Sequence, residues 1–268
     1  MPELPEILSR AREMDQALSG KTIRAIRVVQ PKSLNLPEGE FIDALTGARI
    51  GSTTCRGKWL FVETSQGWLC LNMGMGGEIL LVSPQALPEK YRLVFDFDDD
   101  TCLAINFWWF GYAHYVPLEG LDSHSMTRDL GPNATSVSAD DLWGMTRGKR
   151  GRLKTFLLDQ TKVAGIGNAY IHDILFLAGL HPLRSLDSLS EADVEKLAGA
   201  IRDGLQPAID KGGAFYEKGL FGQPGGFGMD DILVGYREGQ PCPRCATPIV
   251  KIKTGSNSSF VCEQCQPL

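Results

Sequence analysis

The stretch CPRCATPIVKIKTGSNSSFVCEQC, residues 242–265, holds two Cys-x2-Cys pairs, Cys242/Cys245 and Cys262/Cys265, separated by 16 residues. Two such knuckles bring four thiolates around one tetrahedral Zn²⁺ at about 2.3 Å. A pair of disulfides is the other use of four cysteines. The first residues, MPELPEILSR, lack the apolar core of a secretory signal, and a reducing cytosol disfavours disulfides. Four cysteines also close the coordination shell, so the expected zinc is structural and has no open catalytic position. The remaining cysteines, Cys55, Cys70 and Cys102, stand alone among apolar residues and read as small buried hydrophobes.

Working back from this hairpin, the hydrophobic period is helical from about residue 135. LKTFLLDQ (153–160) and NAYIHDILFLAG (168–179) read as helices, the second stopped by Gly179 with Pro182 beyond. Asp140 and Asp141 open another, and Ser190 caps a longer one with Val194, Leu197, Ala198, Ile201, Leu205 and Ile209 on one face. From 22 to about 116 the pattern is instead one of short strands: 22–29, 58–64, 68–73, 78–82, 91–97 and 102–110. A helix precedes them, with Ile7, Leu8, Ala11, Met14, Ala17 and Leu18 at helical spacing. The expected fold is α+β: an N-terminal β-sandwich with an attached helix (1–130), a helical domain (131–235) and a C-terminal zinc hairpin (236–268), hinged near 120–138. No apolar run has the ~18–20 residues of a membrane span, so a cytoplasmic protein is expected.

The net charge is −5, an argument against a generic nucleic-acid coat. All of that excess falls in residues 1–134, which include Asp96, Asp98, Asp99 and Asp100. The balanced C-terminal half holds the densest basic stretch, Arg147, Lys149, Arg150, Arg152 and Lys154. Such a run is either a solvated helix end or a strip that binds phosphates.

The N-terminus carries the most chemistry. Removal of Met1 leaves Pro2 with a free secondary amine, a nucleophile able to form an iminium with an aldehyde-like sugar carbon. Glu3 stands beside it as an acid or base. MPELPE at 1–6, GIGNAY at 165–170, AGLHP at 178–182 and Arg237-x-Gly239-x-Pro241-Cys242 before the hairpin occur in that order. Gly57-Lys58, Gly74-Met75-Gly76-Gly77, Phe110-Gly111, Leu130-Gly131-Pro132 and Thr247-Pro248-Ile249 add to the pattern. In these motifs the whole chain resembles the formamidopyrimidine-DNA glycosylase/endonuclease VIII family of base-excision repair enzymes.

The resemblance implies a helix-two-turn-helix in the middle domain and a role for each matched residue. Pro2 would attack the sugar C1′ and expel the damaged base. Glu3 would protonate the sugar ring oxygen, Glu6 would support that site, and Lys58 would contact phosphate near the lesion. Met75 would fill the gap left by a flipped nucleotide, as an apolar wedge does. Asn168 would bind phosphate at a helix start, with Lys154 and Tyr170 on the same DNA-binding face. The loop at 212–231 would cover a flipped purine, and its many glycines predict mobility. The implied partner is damaged double-stranded DNA, bound by a monomer that is nucleoid-associated when on DNA.

Two departures from the family pattern stand out. Asn106-Phe107-Trp108-Trp109-Phe110-Gly111 replaces a segment with two arginines, one of which reads the base opposite the lesion. Tryptophan stacks on bases but cannot make a charged bidentate contact. In the strand read at 102–110 the two tryptophans face opposite sides, so at most one, taken as Trp108, is expected to meet DNA, with Phe110 also on the DNA-binding side. The second is Asn257, which stands where the hairpin carries a phosphate-directed arginine; a further, lesser change is Asn72, where a histidine is common. The expected function is a DNA glycosylase with abasic-site lyase (β/δ-elimination) activity, not tuned to 8-oxoguanine opposite cytosine. The competing readings are a non-excising protein that binds abasic sites or nicks, and an RNA-binding role.

Overall fold

The computed structural model describes residues 1–108, 110–255 and 257–268; Trp109, paired with Trp108 above, lies outside them. The chain forms two compact units, Met1–Asp129 with Lys211–Gly226, and Leu130–Asp210 with Phe227–Leu268. None of the described helices is long and apolar enough to cross a membrane.

The first unit begins with α1 (Leu4–Leu18), whose apolar positions Ile7, Ala11, Met14 and Leu18 are buried on one face. Next come β1 (Ile23–Val28), α2 (Glu38–Leu45), β2 (Ile50–Arg56), β3 (Trp59–Thr64), β4 (Gly67–Asn72), β5 (Glu78–Val82), β6 (Leu93–Phe97), β7 (Cys102–Asn106) and β8 (Tyr112–Val116). They make two antiparallel sheets of order β1-β6-β7-β5 and β2-β3-β4-β8. Alternate residues of both sheets, such as Phe95 and Ile105 from one and Leu60 and Leu71 from the other, share one core with α1 and with Phe41 of α2. This is the expected sandwich.

Three elements, α2, β2 and β8, fall outside the segments read from the periodicity. β2 is polar, IGSTTCR, and only Ile50 and Thr53 of it are buried. α2 buries only Phe41 and Leu45. Neither carries enough apolar residues to announce a period. The strand expected at 102–110 ends at Asn106, so Trp108 stands in the connection to β8 and the alternation argument does not apply to it.

Lys211–Gly226, expected within the helical domain, groups with the N-terminal unit. Glu13 of α1 accepts the Leu220 amide at 2.8 Å and the Gln223 side-chain amide at 2.5 Å. The Leu81 amide of β5 donates to the Leu220 carbonyl at 2.8 Å. Leu220 is fully buried in the sandwich core, a burial worth roughly 1.5–3 kcal/mol. The segment is thus stitched to the N-terminal unit, and its glycines serve close approaches. A Cβ on Gly213, at φ +100°, would lie 2.7 Å from Cγ of Glu6, and one on Gly225 would lie 2.2 Å from the Gly213 carbonyl oxygen.

The second unit holds α3 (Ala139–Thr146), α4 (Leu153–Leu158), α5 (Ile171–Ala178) and α6 (Glu191–Asp210), then the hairpin β9 (Val250–Thr254) and β10 (Asn257–Val261). Ser138 caps α3 by accepting the Asp141 amide at 3.0 Å, and Ser190 caps α6 by accepting the Asp193 amide at 3.2 Å. Gly179 ends α5 in the left-handed region at φ +67°. Where α5 meets α6, a Cβ on Gly204 would lie 2.8 Å from Ile174.

Candidate active site

The N-terminal residues are fixed by α1 and by the turn at 213–217. Pro2, Glu3 and Glu6 are buried. Glu6 is a two-sided acceptor: one carboxylate oxygen takes the Glu3 amide at 2.7 Å and the other takes the Ala214 amide at 2.9 Å. The first bond satisfies a free N–H at the helix start, and the second carries the loop turn to the same place. Both oxygens of Glu6 are therefore committed to backbone donors, which suits the supporting role.

The turn delivers a carboxylate absent from the sequence reading. The Glu217 amide donates to the Ala214 carbonyl at 2.9 Å, and the Gly225 amide donates to the Glu217 carbonyl at 3.0 Å. The Glu217 side chain is mostly buried, with one oxygen 4.0 Å from the Met1 ammonium. Burial pushes this carboxyl up to about 7; the N-terminal ammonium and Arg10 act against the rise, Glu6 and Glu3 with it. No local pattern marks Glu217, which lies more than 200 residues from the N-terminus it faces.

Lys58 stands in the turn between β2 and β3, half-buried, after Gly57 at φ +58°. Asn72 connects this turn to the next loop. Its side-chain amide donates to the Lys58 carbonyl at 3.0 Å, and its oxygen accepts the Gly74 amide at 3.0 Å. Asn72 thus positions both Lys58 and the loop that bears Met75. Met75, Trp108 and Phe110 are 51%, 71% and 70% exposed. The Trp108 ring lies over Gly76, where a Cβ would come within 3.0 Å of it. Met75 and Trp108 therefore stand on abutting loops as exposed apolar side chains, and Trp108 is no part of the core.

The remaining site residues belong to the second unit. Lys154 is 3% exposed. Its ammonium donates to the Ser258 carbonyl at 2.7 Å, Ser259 Oγ at 2.9 Å and Thr254 Oγ1 at 3.3 Å. It was expected on a binding face; in the structure it ties α4 to β9–β10, and burial lowers its pKa to about 8. Tyr170 is buried, its ring 5.6 Å from that of Phe227. Asn168 precedes α5 and its backbone carbonyl accepts the Tyr236 hydroxyl at 3.3 Å. Its side-chain oxygen is buried without a hydrogen-bond partner among the described residues.

The four cysteines meet as expected. Sulfur–sulfur distances are 3.8 Å for Cys242–Cys265, 3.4 Å for Cys245–Cys262 and 3.5 Å for Cys245–Cys265. Tetrahedral Zn–S bonds of about 2.3 Å place sulfurs about 3.8 Å apart, whereas a disulfide needs about 2.05 Å. The donor set fits one Zn²⁺, and all four Sγ atoms lie within 4.8 Å of one another. Phe176, Val234, Ile249 and Phe260 form the apolar base of the site.

Polar ties hold that base to the helices. Asp173 of α5 accepts the amides of Leu233, Val234 and Gly235 at 2.8, 2.9 and 2.9 Å. Arg244 donates to the Phe176 and Leu177 carbonyls at 2.9 and 3.1 Å, with its guanidinium over the Phe176 ring. A cation there completes the carboxyl end of α5.

Comparison with known proteins accounts for all three segments. A family model of the formamidopyrimidine-DNA glycosylase N-terminal domain matches residues 1–106. The model of the H2TH domain of the same enzymes matches 130–218, and a zinc finger found in FPG and IleRS matches 239–268. The fold and the zinc hairpin thus define a protein of the DNA-glycosylase class. Formamidopyrimidine-DNA glycosylase of Pectobacterium atrosepticum is 33% identical over 271 residues, covering 99% of this chain and 100% of that protein. The enzyme of the same name from Crocosphaera subtropica is 34% identical over 281 residues, covering 100% and 99%. Among solved structures, Lactococcus lactis Fpg in complex with DNA containing N7-benzyl-Fapy-dG aligns at a TM-score of 0.92 with 28% identity, over 100% of both chains. The same enzyme with DNA containing an abasic site aligns at 0.91 with 27% identity, over 99% and 100%. The chain belongs to the formamidopyrimidine-DNA glycosylase family.

Proposed function

We propose that the protein excises damaged bases from double-stranded DNA and cleaves the resulting abasic site through a Schiff base on Pro2. The observation that carries this reading is the buried Pro2-Glu3 start of the chain, held under Glu6, in a protein that aligns end to end with glycosylases. While Met1 is attached, the Pro2 nitrogen is an amide and has no nucleophilic lone pair, so the active form is the one without Met1. The Pro2 nitrogen then attacks C1′ of the deoxyribose. The N–C1′ bond forms as the glycosidic bond breaks, and the base leaves with the bonding pair. Glu3 protonates the ring oxygen as the ring opens to the iminium. Loss of a C2′ proton expels the 3′ phosphate, and water releases Pro2.

Lys58 supplies a cation for a phosphate beside the reacting sugar, and Asn72 aims it. Lys154 serves by holding the zinc hairpin in place, and Asn168 offers its side chain to phosphate at the start of α5. Met75 and Trp108 fill the gap in the duplex. With Trp108 where arginine is usual, recognition of the opposite base rests on stacking, so the lesion and opposite-base preference differ from the family pattern.

Borohydride trapping on an abasic-site duplex tests the chemistry, with the mass of the purified protein as the check on loss of Met1. A covalent adduct that disappears in Pro2→Gly supports it. Tight duplex binding without an adduct overturns it in favour of a non-excising damage binder. On the same substrates, Trp108→Arg changes the ranking of opposite bases; an unchanged ranking removes Trp108 from recognition.

A further inference from the structure

We propose that Glu217 is the proton-accepting residue for the Pro2 amine, a role that rests on Pro2 being the nucleophile. One oxygen of its mostly buried carboxylate stands 4.0 Å from the amino terminus of the chain. Successive backbone nitrogens are separated by at most about 3.7 Å. Once Met1 is removed, the terminal ammonium is that of Pro2, whose nitrogen lies no more than about 7.7 Å from this carboxylate oxygen.

The neighbouring carboxylates are otherwise engaged. Glu6 has both oxygens on backbone amides, of Glu3 and Ala214. Glu3 is assigned to the sugar ring oxygen. Arg10 is the nearest cation on α1 and pairs with Glu13 at 2.8 Å. Lys218, the next residue in the turn, points to Glu78 at 2.8 Å. The groups facing Glu217 are thus the terminal amine, Glu3, Glu6 and Arg10. With Met1 in place, burial pushes its carboxyl up to about 7, in the range where a base is unprotonated in part and basic enough to take a proton.

The step balances. A secondary ammonium cannot attack C1′. Glu217 takes one proton from it and the freed lone pair forms the N–C1′ bond; the second N–H proton leaves with the departing base as the iminium forms, and on hydrolysis water restores the Glu3 proton and supplies one to the amine while the Glu217 carboxylic acid returns the other. The turn that presents Glu217 is built for position: Gly213 has no room for a Cβ against Glu6, and the backbone on both sides of Glu217 is hydrogen-bonded.

The test is the rate of borohydride-trapped adduct on an abasic duplex as a function of pH, for the protein lacking Met1. Wild type is expected to show two limbs, one from Glu217, held above the ordinary carboxyl range by burial, and one from the amine. Glu217→Gln should lower the rate at neutral pH by ~10²–10⁴-fold, as for loss of a general base. It should also remove the limb assigned to Glu217 and leave duplex affinity unchanged, and Glu217→Asp should restore part of the rate. A Glu217→Gln protein that traps at the wild-type rate with the wild-type profile overturns the proposal. If Pro2→Gly abolishes trapping in that experiment, Glu217 alone is refuted. If wild type forms no adduct, the Pro2 reading falls and this role falls with it.

Discussion

Glu6→Gln is the sharpest perturbation of the N-terminal site, because it changes one atom of a buried residue with two backbone partners. The carboxylate takes the Glu3 amide on one oxygen and the Ala214 amide on the other, at 2.7 and 2.9 Å. Glutamine offers one oxygen and one NH2 group, so in either orientation one backbone N–H meets a donor. Loss of a bond to a charged acceptor costs about 1.5–3 kcal/mol, and the surviving bond falls from charge-assisted to neutral strength. The expected destabilisation of the N-terminal unit is about 2–4 kcal/mol. The Glu3 bond is local, three residues apart in the helix start, so the surviving oxygen stays there and Ala214 is the orphan. Urea unfolding should show the loss, and hydrogen exchange at the Ala214 amide should quicken by about 30-fold for each 2 kcal/mol. Adduct formation should fall with it, since the turn carries Glu217. A cost below about 0.5 kcal/mol with unchanged exchange at Ala214 would refute the claim that Glu6 ties loop to helix.

Two further outcomes concern the second unit. Cys262 is fully buried in the apolar base of the four-cysteine site, and structural zinc is worth ~10–16 kcal/mol in small modules; Cys262→Ser should therefore lose zinc, read by metal analysis, and loosen β9–β10, whereas one retained zinc with an unchanged unfolding curve contradicts a metal-dependent hairpin. Burial holds the Lys154 pKa at about 8, below its ordinary value near 10.5, so between these values the unfolded chain binds more protons and wild-type stability rises with pH. Lys154→Met should abolish that rise in unfolding measurements from about pH 8 to 10, and a rise that persists would assign it to another group.

Much of this protein is legible locally. Metal-ligand spacing needs only a tetrahedral ion and two short knuckles, so Cys242, Cys245, Cys262 and Cys265 could be assigned from spacing. The α1 stripe and the strands β3 to β7 announce themselves because they bury regular apolar faces, while β2 and α2 are too polar or too short to do so. The motif order assigned the family, and the matches over 1–106, 130–218 and 239–268 agree with it.

What the sequence by itself determined was therefore the α+β class, the four-cysteine zinc site and the family, each written in periodicity, spacing or motif order. Tertiary structure alone decided what each polar group meets. It turned the glycine-rich segment 211–226 back onto the N-terminal unit, because Leu220 fills the sandwich core and two glutamates of α1 accept its amides. It folded the Lys154 ammonium onto β9–β10, left Trp108 exposed beyond the end of β7, and set Glu217 against the amino terminus. The physical reason is common to all four: a charge or a ring is read by its neighbours, and these neighbours come from segments far apart in the chain.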